Sequence, residues 1–383
     1  MEKLQSSWVW EEENMSVYDI WKLDIFQEYV YCVSSHVWRR NNWWKWLTKY
    51  QALASALMEF AERYSWYKII DGVNNTISRT HNQIHWPKIN IDDLILTEWD
   101  IETYKNIDIY NELELKWIEW YSLTEATHKS IPWYEYEFLT TNCLWAGNTL
   151  EEAIIHAIYE TVERHHYNVM MANLDVPRLI DISSITNKHI QNLISKIQSF
   201  GFEIYIMDCS FDFWLHTIWA LIYNWSYQFV SHYAMNLHMG THSNSDIAII
   251  RALTEIVQNR ATNLDNNKFN ISMLSEKDYL DEMAISPITA YYLQLFRDHG
   301  AEIIRYSDLI NTDVDNMTVE LDNLVRLLEQ KWFEVLVIDA TQKNIDIACV
   351  RVVIPGLQPM IFELFDDALW KNVRRSQFLK NSK

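Results

Sequence analysis

Three stretches of this chain pair carboxylates with an arginine at short spacing. SALMEFAER carries Glu59, Glu62 and Arg63, LEEAIIHAIYETVER carries Glu152, Glu160, Glu163 and Arg164, and RALTEIVQNR carries Glu255, Gln258 and Arg260. Residues three and four apart share one face of a helix, so Glu59 and Glu62 point together, as do Glu160 and Glu163. Two carboxylates on one face repel unless something positive lies between them. Magnesium suits that place because it prefers oxygen ligands and shares them with substrate phosphates. Arginines close behind could grip phosphate oxygens in a bidentate way. The plain alternative is a solvated helix face with weak ion pairs. Ala153, Ile154, Ala157, Ile158 and Val162 cover much of the second segment's circumference and leave less room for such a face.

These residues need helices to hold them. Residues 47–67 read as a helix rich in Ala and Leu, with Thr48 as N-cap. Further helices are expected over 150–170, 187–200 (closed by Gly201), 245–262, 276–298 and 318–331. Strands are expected over 29–33, 203–208, 217–223, 333–338 and 348–354, the last punctuated by Pro355 and Gly356. Residues 71–136 give no clear pattern. Gly147, Asn148 and Thr149 precede the second helix, and a helix N-terminus with free amides favours an anion. Thr149 and Glu152 also fit a T-x-x-E capping box, so Glu152 has both a capping and a metal-binding reading. No Pro/Gly/Ser-rich linker or repeat divides the chain. The expectation is a loose segment over 1–15 and one α+β domain over 16–383.

The bulk numbers bound the function. Half of the 383 residues are hydrophobic, enough for a sizeable core. A net charge of −20 disfavours nucleic acid and anionic membranes as partners, although metal-neutralised nucleotide remains open. Cys32, Cys143, Cys209 and Cys349 are too scattered for a zinc site or a disulfide framework. With no signal peptide and no long apolar run, the expected location is cytoplasmic. The 6 Gly against 19 Trp are unusual, since an average chain of this length would hold about 27 Gly.

NCLWAGNTLEEAIIHAIYETVER resembles the signature of the YcaO superfamily. WKWLTKYQALASALMEFAERYS, GTHSNSDIAIIRALTEIVQNRAT and VRVVIPGL are similar to three further blocks of that family, in the same order. The resemblance implies a mixed fold in which β-sheets and helices surround an ATP and Mg2+ site. It implies an enzyme that phosphorylates the carbonyl oxygen of a peptide or protein backbone amide, after which a nucleophile replaces that oxygen. A side chain gives an azoline, sulfide a thioamide and an amine an amidine. By position, Glu59, Glu62, Glu160 and Glu163 would bind magnesium and serve catalysis. Arg63 and Arg164 would contact phosphates, with Lys45 a further phosphate contact. Ser55 and Asn142 would contact nucleotide or metal, with Glu152 near them, and Glu255, Gln258 and Arg260 would line the same site.

The chain departs from the family pattern at Trp44, Trp46, Cys143 and Trp214, where the family has Gly, and at Trp145, where it has Ala. A large ring at a glycine position can block the approach of backbone to phosphate. Drift is one account of the exchange. The other is a gene whose UGA codons mean glycine but are read as tryptophan. Without a PxPxP tail or a fused leader-binding domain, the expected protein is a stand-alone member of a thioamide- or azoline-forming type. It would work as a homodimer on a peptide substrate, with a TfuA-like or leader-binding partner. Two rival readings stand beside it. One is a nucleotide- or peptide-binding module without turnover. The other is a di-iron protein, since His166 follows Glu163 by three residues.

Overall fold

The computed structural model describes residues 16–19, 31–37, 40–46, 48–74, 78–85, 87–88, 114–132, 141–173, 175–210, 215–224, 235–265, 287–298 and 300–357. The expected loose segment over 1–15, Trp214, and the first half of the expected 276–298 helix lie outside those residues. The described residues form an α+β fold with six α-helices, two five-stranded sheets and one three-stranded sheet. They divide into two compact units, one of residues 1–57 and 174–313, the other of 58–173 and 314–383.

In the first unit, β1 (Ser16–Asp19), β2 (Tyr31–Val37) and β3 (Arg40–Trp46) form an antiparallel sheet. The main sheet has the order β10-β9-β8-β7-β11. It comprises β7 (Arg178–Ile180), β8 (Glu203–Asp208), β9 (His216–Tyr223), β10 (Met235–His242) and β11 (Ile303–Ile304). Only the β11–β7 pair is parallel. All eight residues of β9 are buried because both its faces are covered. Ile218, Ala220 and Ile222 pack with α3 (Lys188–Ser199) and α4 (Ser245–Asp265), while Trp219 meets Tyr292 of α5 (Pro287–Arg297) edge-on. A continuous apolar strand of this kind is what burial on both faces requires. Asn187 caps α3 by accepting from the His189 amide, and Asn244 does the same for Asp246 at the start of α4. Strand β10 comes so close to α4 that a Cβ on Gly240 would lie 2.5 Å from the Ala248 carbonyl oxygen.

In the second unit the sheet order is β5-β4-β12-β13-β6, with every pair antiparallel. Its strands are β4 (Trp117–Ser122), β5 (Thr127–Pro132), β6 (Leu144–Gly147), β12 (Leu336–Asp339) and β13 (Ala348–Val353). Helix α2 (Leu150–Asn173) packs on β13 and β6, and α6 (Met317–Gln330) packs on α2. Tyr159 of α2 donates its hydroxyl to the buried carboxylate of Glu320 on α6. Helix α1 (Lys49–Asn74) begins in the first unit and continues into the second. Thr48 accepts the Gln51 amide at its start, as the sequence leads one to expect. The β4–β5 hairpin falls in the stretch that showed no clear pattern. Its pairing partner, β12, is more than 200 residues away along the chain.

The end of α6 bears on the tryptophan excess. The Trp332 amide donates to the Glu329 carbonyl at 2.8 Å and the Phe333 amide to the Leu328 carbonyl at 3.0 Å. This pair of bonds is a Schellman motif, whose closing residue sits in the left-handed region and is usually glycine. Here it is Trp332, with φ of 64° and a ring 82% exposed, so the side chain adds little packing and the Cβ adds strain. Trp332→Gly is expected to raise stability by about 1 kcal/mol, because Gly alone occupies this region without penalty. Trp332→Ala keeps the Cβ and is expected to leave stability unchanged. Urea unfolding midpoints of the two variants check this.

Candidate active site

Four glutamates of the second unit are buried on α1 and α2. Glu59, Glu62, Glu160 and Glu163 are between 4% and 9% exposed. Exposure this low departs from a solvated face, since carboxylates are rarely buried unless paired. Part of the pairing is local to each helix. Arg63 Nε donates to Glu59 Oε1 at 2.6 Å, and Arg164 Nη2 to Glu160 Oε1 at 2.9 Å, each across one helical turn. Arg164 Nη1 lies 3.7 Å from Glu163 Oε1.

The other part comes from β6 and the turn before it. The Ala146 amide donates to Glu62 Oε1 at 2.8 Å. Glu160 Oε2 accepts the Cys143 amide at 2.9 Å and the Trp145 indole N–H at 2.6 Å. The Trp145 ring stacks on His156, centroids 4.9 Å apart. Gly147 ends the strand where α2 begins, and a Cβ there would lie 2.7 Å from the Ala153 nitrogen. That close approach brings β6 onto the start of the helix that carries the acids.

The electrostatics follow from burial and like charge. Burial pushes the Glu62 carboxyl well above the usual carboxylate range. Glu59 and Glu160 push it further, against the opposing pull of the Ala146 amide and Arg63. Burial works against charge on Arg164, but Glu160 and Glu163 outweigh it and hold the guanidinium more firmly protonated. The Cys143 thiol is pushed up to about 12 by burial and then by Glu160, so at neutral pH it is a thiol and not a nucleophile. Cys143 has φ of 60°, a left-handed conformation at the position where the sequence pattern leads one to expect glycine.

Among the described residues, no group of three His, Cys, Asp or Glu side chains is arranged to hold a metal ion by itself. Magnesium ordinarily takes one or two carboxylates and completes its shell with water and phosphate oxygens. The buried acids fit that mode. A divalent cation would relieve the repulsion that Glu59 and Glu160 exert on Glu62.

The remaining candidates fall as follows. Asn142 is half-buried in the turn before Cys143. Glu152 turns its carboxylate back onto the Asn148 amide at 2.7 Å and side-chain nitrogen at 2.8 Å, while its own amide donates to Thr149 Oγ1. Thr149 thus caps α2, while the Glu152 carboxylate accepts from the residue before the cap and not from the Thr149 amide that a capping box would use. Lys45, Ser55, Glu255, Gln258 and Arg260 belong to the first unit. There α4, which carries Glu255, Gln258 and Arg260, packs against β3, which carries Lys45. Arg260 is 1% exposed, with its guanidinium 5.1 Å over the Phe202 ring. Ser55, Glu255 and Gln258 are half-buried.

Arg351 of β13 was not among the sequence candidates. It is 3% exposed, lies 4.8 Å over the Trp66 ring and acts electrostatically on the Cys143 thiol beside Glu160. Its signal in the sequence is an arginine inside the apolar run ACVRVV, where a charge must have a reason. The two five-stranded sheets set aside the di-iron reading, which needs a helical bundle.

Residues 45–358 match the family model described as YcaO cyclodehydratase, ATP- and Mg2+-binding. The chain belongs to the YcaO family. An "Uncharacterized protein" of Methanothermobacter thermautotrophicus is 25% identical over 343 residues, covering 86% of this chain and 84% of that one. A solved heterocyclase in complex with substrate and cofactor superposes with a TM-score of 0.72 at 22% identity over 88% of this YcaO chain. This chain spans about half the length of that heterocyclase, 49%. The YcaO of Methanopyrus kandleri, solved bound with AMPPCP and Mg2+, gives a TM-score of 0.65 at 18% identity. It is matched over 89% of this chain and 85% of its own. At these identities the structural likeness establishes the YcaO fold. No helix among the described residues is long and apolar enough to cross a membrane.

Proposed function

We propose that this YcaO protein uses ATP and Mg2+ to activate a backbone amide of a peptide or protein. The observation that carries the reading is the burial of Glu59, Glu62, Glu160 and Glu163 beside Arg63 and Arg164. Four buried acids beside two arginines give a negative site that a divalent cation completes, and each arginine is tied to its carboxylate. Burying these carboxylates costs stability, and a bound divalent cation would offset part of that cost. Bound Mg–ATP would supply the phosphoryl group that turns the amide oxygen into a leaving group. Glu59, Glu62, Glu160 and Glu163 would hold the metal, and Arg63 and Arg164 would steady phosphate oxygens as charge builds on them. The nucleophile then bonds to the amide carbon, the carbon–oxygen bond breaks, and the oxygen leaves on phosphate. A Cys, Ser or Thr side chain gives an azoline and sulfide a thioamide. A leader-binding or TfuA-like partner would present the peptide.

Isothermal titration of the chain with AMPPCP and Mg2+ tests the reading. Binding should require Mg2+ and should weaken at least about tenfold in Glu163→Gln, the scale on which metal-site partners act. Magnesium-independent binding, or an unaffected variant, would sink it. A binding module without turnover is favoured by the hold of Trp145 on Glu160. It would bind ATP but release no ADP in response to peptide.

A further inference from the structure

Glu160 is engaged through both of its carboxylate oxygens. Its Oε1 accepts from Arg164. Its Oε2 accepts two N–H groups, from the Cys143 backbone and the Trp145 indole. A carboxylate oxygen has two lone-pair directions in its plane, so both on Oε2 are taken. A cation reaching Oε2 has to displace one donor. The Cys143 amide is a poor choice, because its own carbonyl accepts the Val352 amide at 3.0 Å, which ties that backbone to the β13 strand. The indole belongs to a half-buried side chain at the edge strand β6, held by its hydrogen bond to Glu160 and its stack on His156.

We infer that Trp145 is a latch on Glu160 Oε2: with the indole bound, that oxygen is a structural acceptor, and Mg–nucleotide gains it as a ligand only by displacing the ring. Trp145 is therefore a positioning residue that acts through Glu160 and sets the affinity of the site. This inference rests on the nucleotide reading above. His156 lies one helical turn before Glu160 on α2, so the ring that caps the acid is docked on the same helix face. The latch strengthens the nucleotide-free state and makes binding weaker than the acids alone would allow.

The test uses the full chain labelled with 5-fluorotryptophan, its Trp145 resonance identified by loss in Trp145→Phe. Two measurements are made. In the nucleotide-free protein, Glu160→Asp draws the carboxylate back by one methylene and should shift the Trp145 resonance. A resonance that stays put means the bond is absent, and the latch is overturned whatever the nucleotide does. Titration with Mg2+ and AMPPCP should then shift the Trp145 resonance, and Trp145→Phe should bind about tenfold more tightly, as expected when one hydrogen bond to a charged group no longer has to be broken. Equal or weaker binding by Trp145→Phe overturns the inference. If Glu160→Asp moves the resonance but neither protein binds AMPPCP, the bond stands, the nucleotide reading fails and the gating role falls with it.

Discussion

Glu160→Ala is expected to lose about 3–5 kcal/mol of unfolding free energy, the range for breaking a buried charge pair by removing one partner. The loss has three sources. Arg164 is left with the more distant Glu163 carboxylate, the Cys143 amide loses its acceptor, and so does the Trp145 indole. Glu160→Gln keeps an acceptor for the two N–H groups and loses the charge facing Arg164, so its loss should be smaller. Urea unfolding of the two variants measures this. A loss under about 1 kcal/mol for the alanine variant would mean that the acid behaves as an exposed ion pair. The buried placement of Glu160 on α2 would then be wrong.

Acid should destabilise the chain steeply, and His242 should carry much of the effect. This histidine accepts the Asn244 amide on Nδ1 at 2.9 Å, just before α4. Burial lowers its pKa from 6.5 to about 3, and Arg251 of α4 and His216 of β9 add to the shift. His216, paired opposite it, is also lowered by burial, against the nearby Asp208 and Asp313. The folded state keeps His242 neutral while the unfolded chain binds a proton below pH 6.5. The stabilisation is therefore complete above that pH and is lost as pH falls from 6.5 toward 3. One such group contributes a slope of about 1.4 kcal/mol per pH unit over that window. Asn at this position can still accept the Asn244 amide but does not titrate. His242→Asn should remove about 2–3 kcal/mol of the stability lost between roughly pH 6.5 and 4.5. Denaturant titrations at several pH values read this out, and an unchanged slope would assign the acid sensitivity to other groups.

Trp145 and Trp332 are tryptophans with different consequences. Trp145 makes a specific bond to a buried acid, whereas Trp332 holds a glycine conformation with its ring in solvent. Of the two, Trp332 alone has the physical marks of a misplaced glycine. Reading the codon at Trp332 bears on the UGA account more directly than the codons of β3 do.

Much of this protein was written locally. Helices α1, α2, α3, α4 and α6 follow from apolar spacing and from caps such as Thr48, Asn187 and Gly201, because helix bonds reach only four residues along the chain. The same short reach made the Glu59–Glu62 and Glu160–Glu163 pairs visible, and the order of the motif blocks carried the YcaO membership. Strands β4, β5, β6 and β10 were not legible, since a strand's partner is set by distant pairing; β10 alternates Met235, Leu237 and Met239 with Asn236 and His238, but it has no β-branched residue before Thr241 and contains Gly240. The tertiary structure alone decided what the buried carboxylate oxygens do: Glu62 takes the Ala146 amide, Glu160 takes the Trp145 indole, and Arg351 comes in from β13. Spacing along a helix sets which side chains share a face. The N–H groups that meet those side chains belong to elements up to 84 residues away in the chain, and only packing brings them within bonding distance.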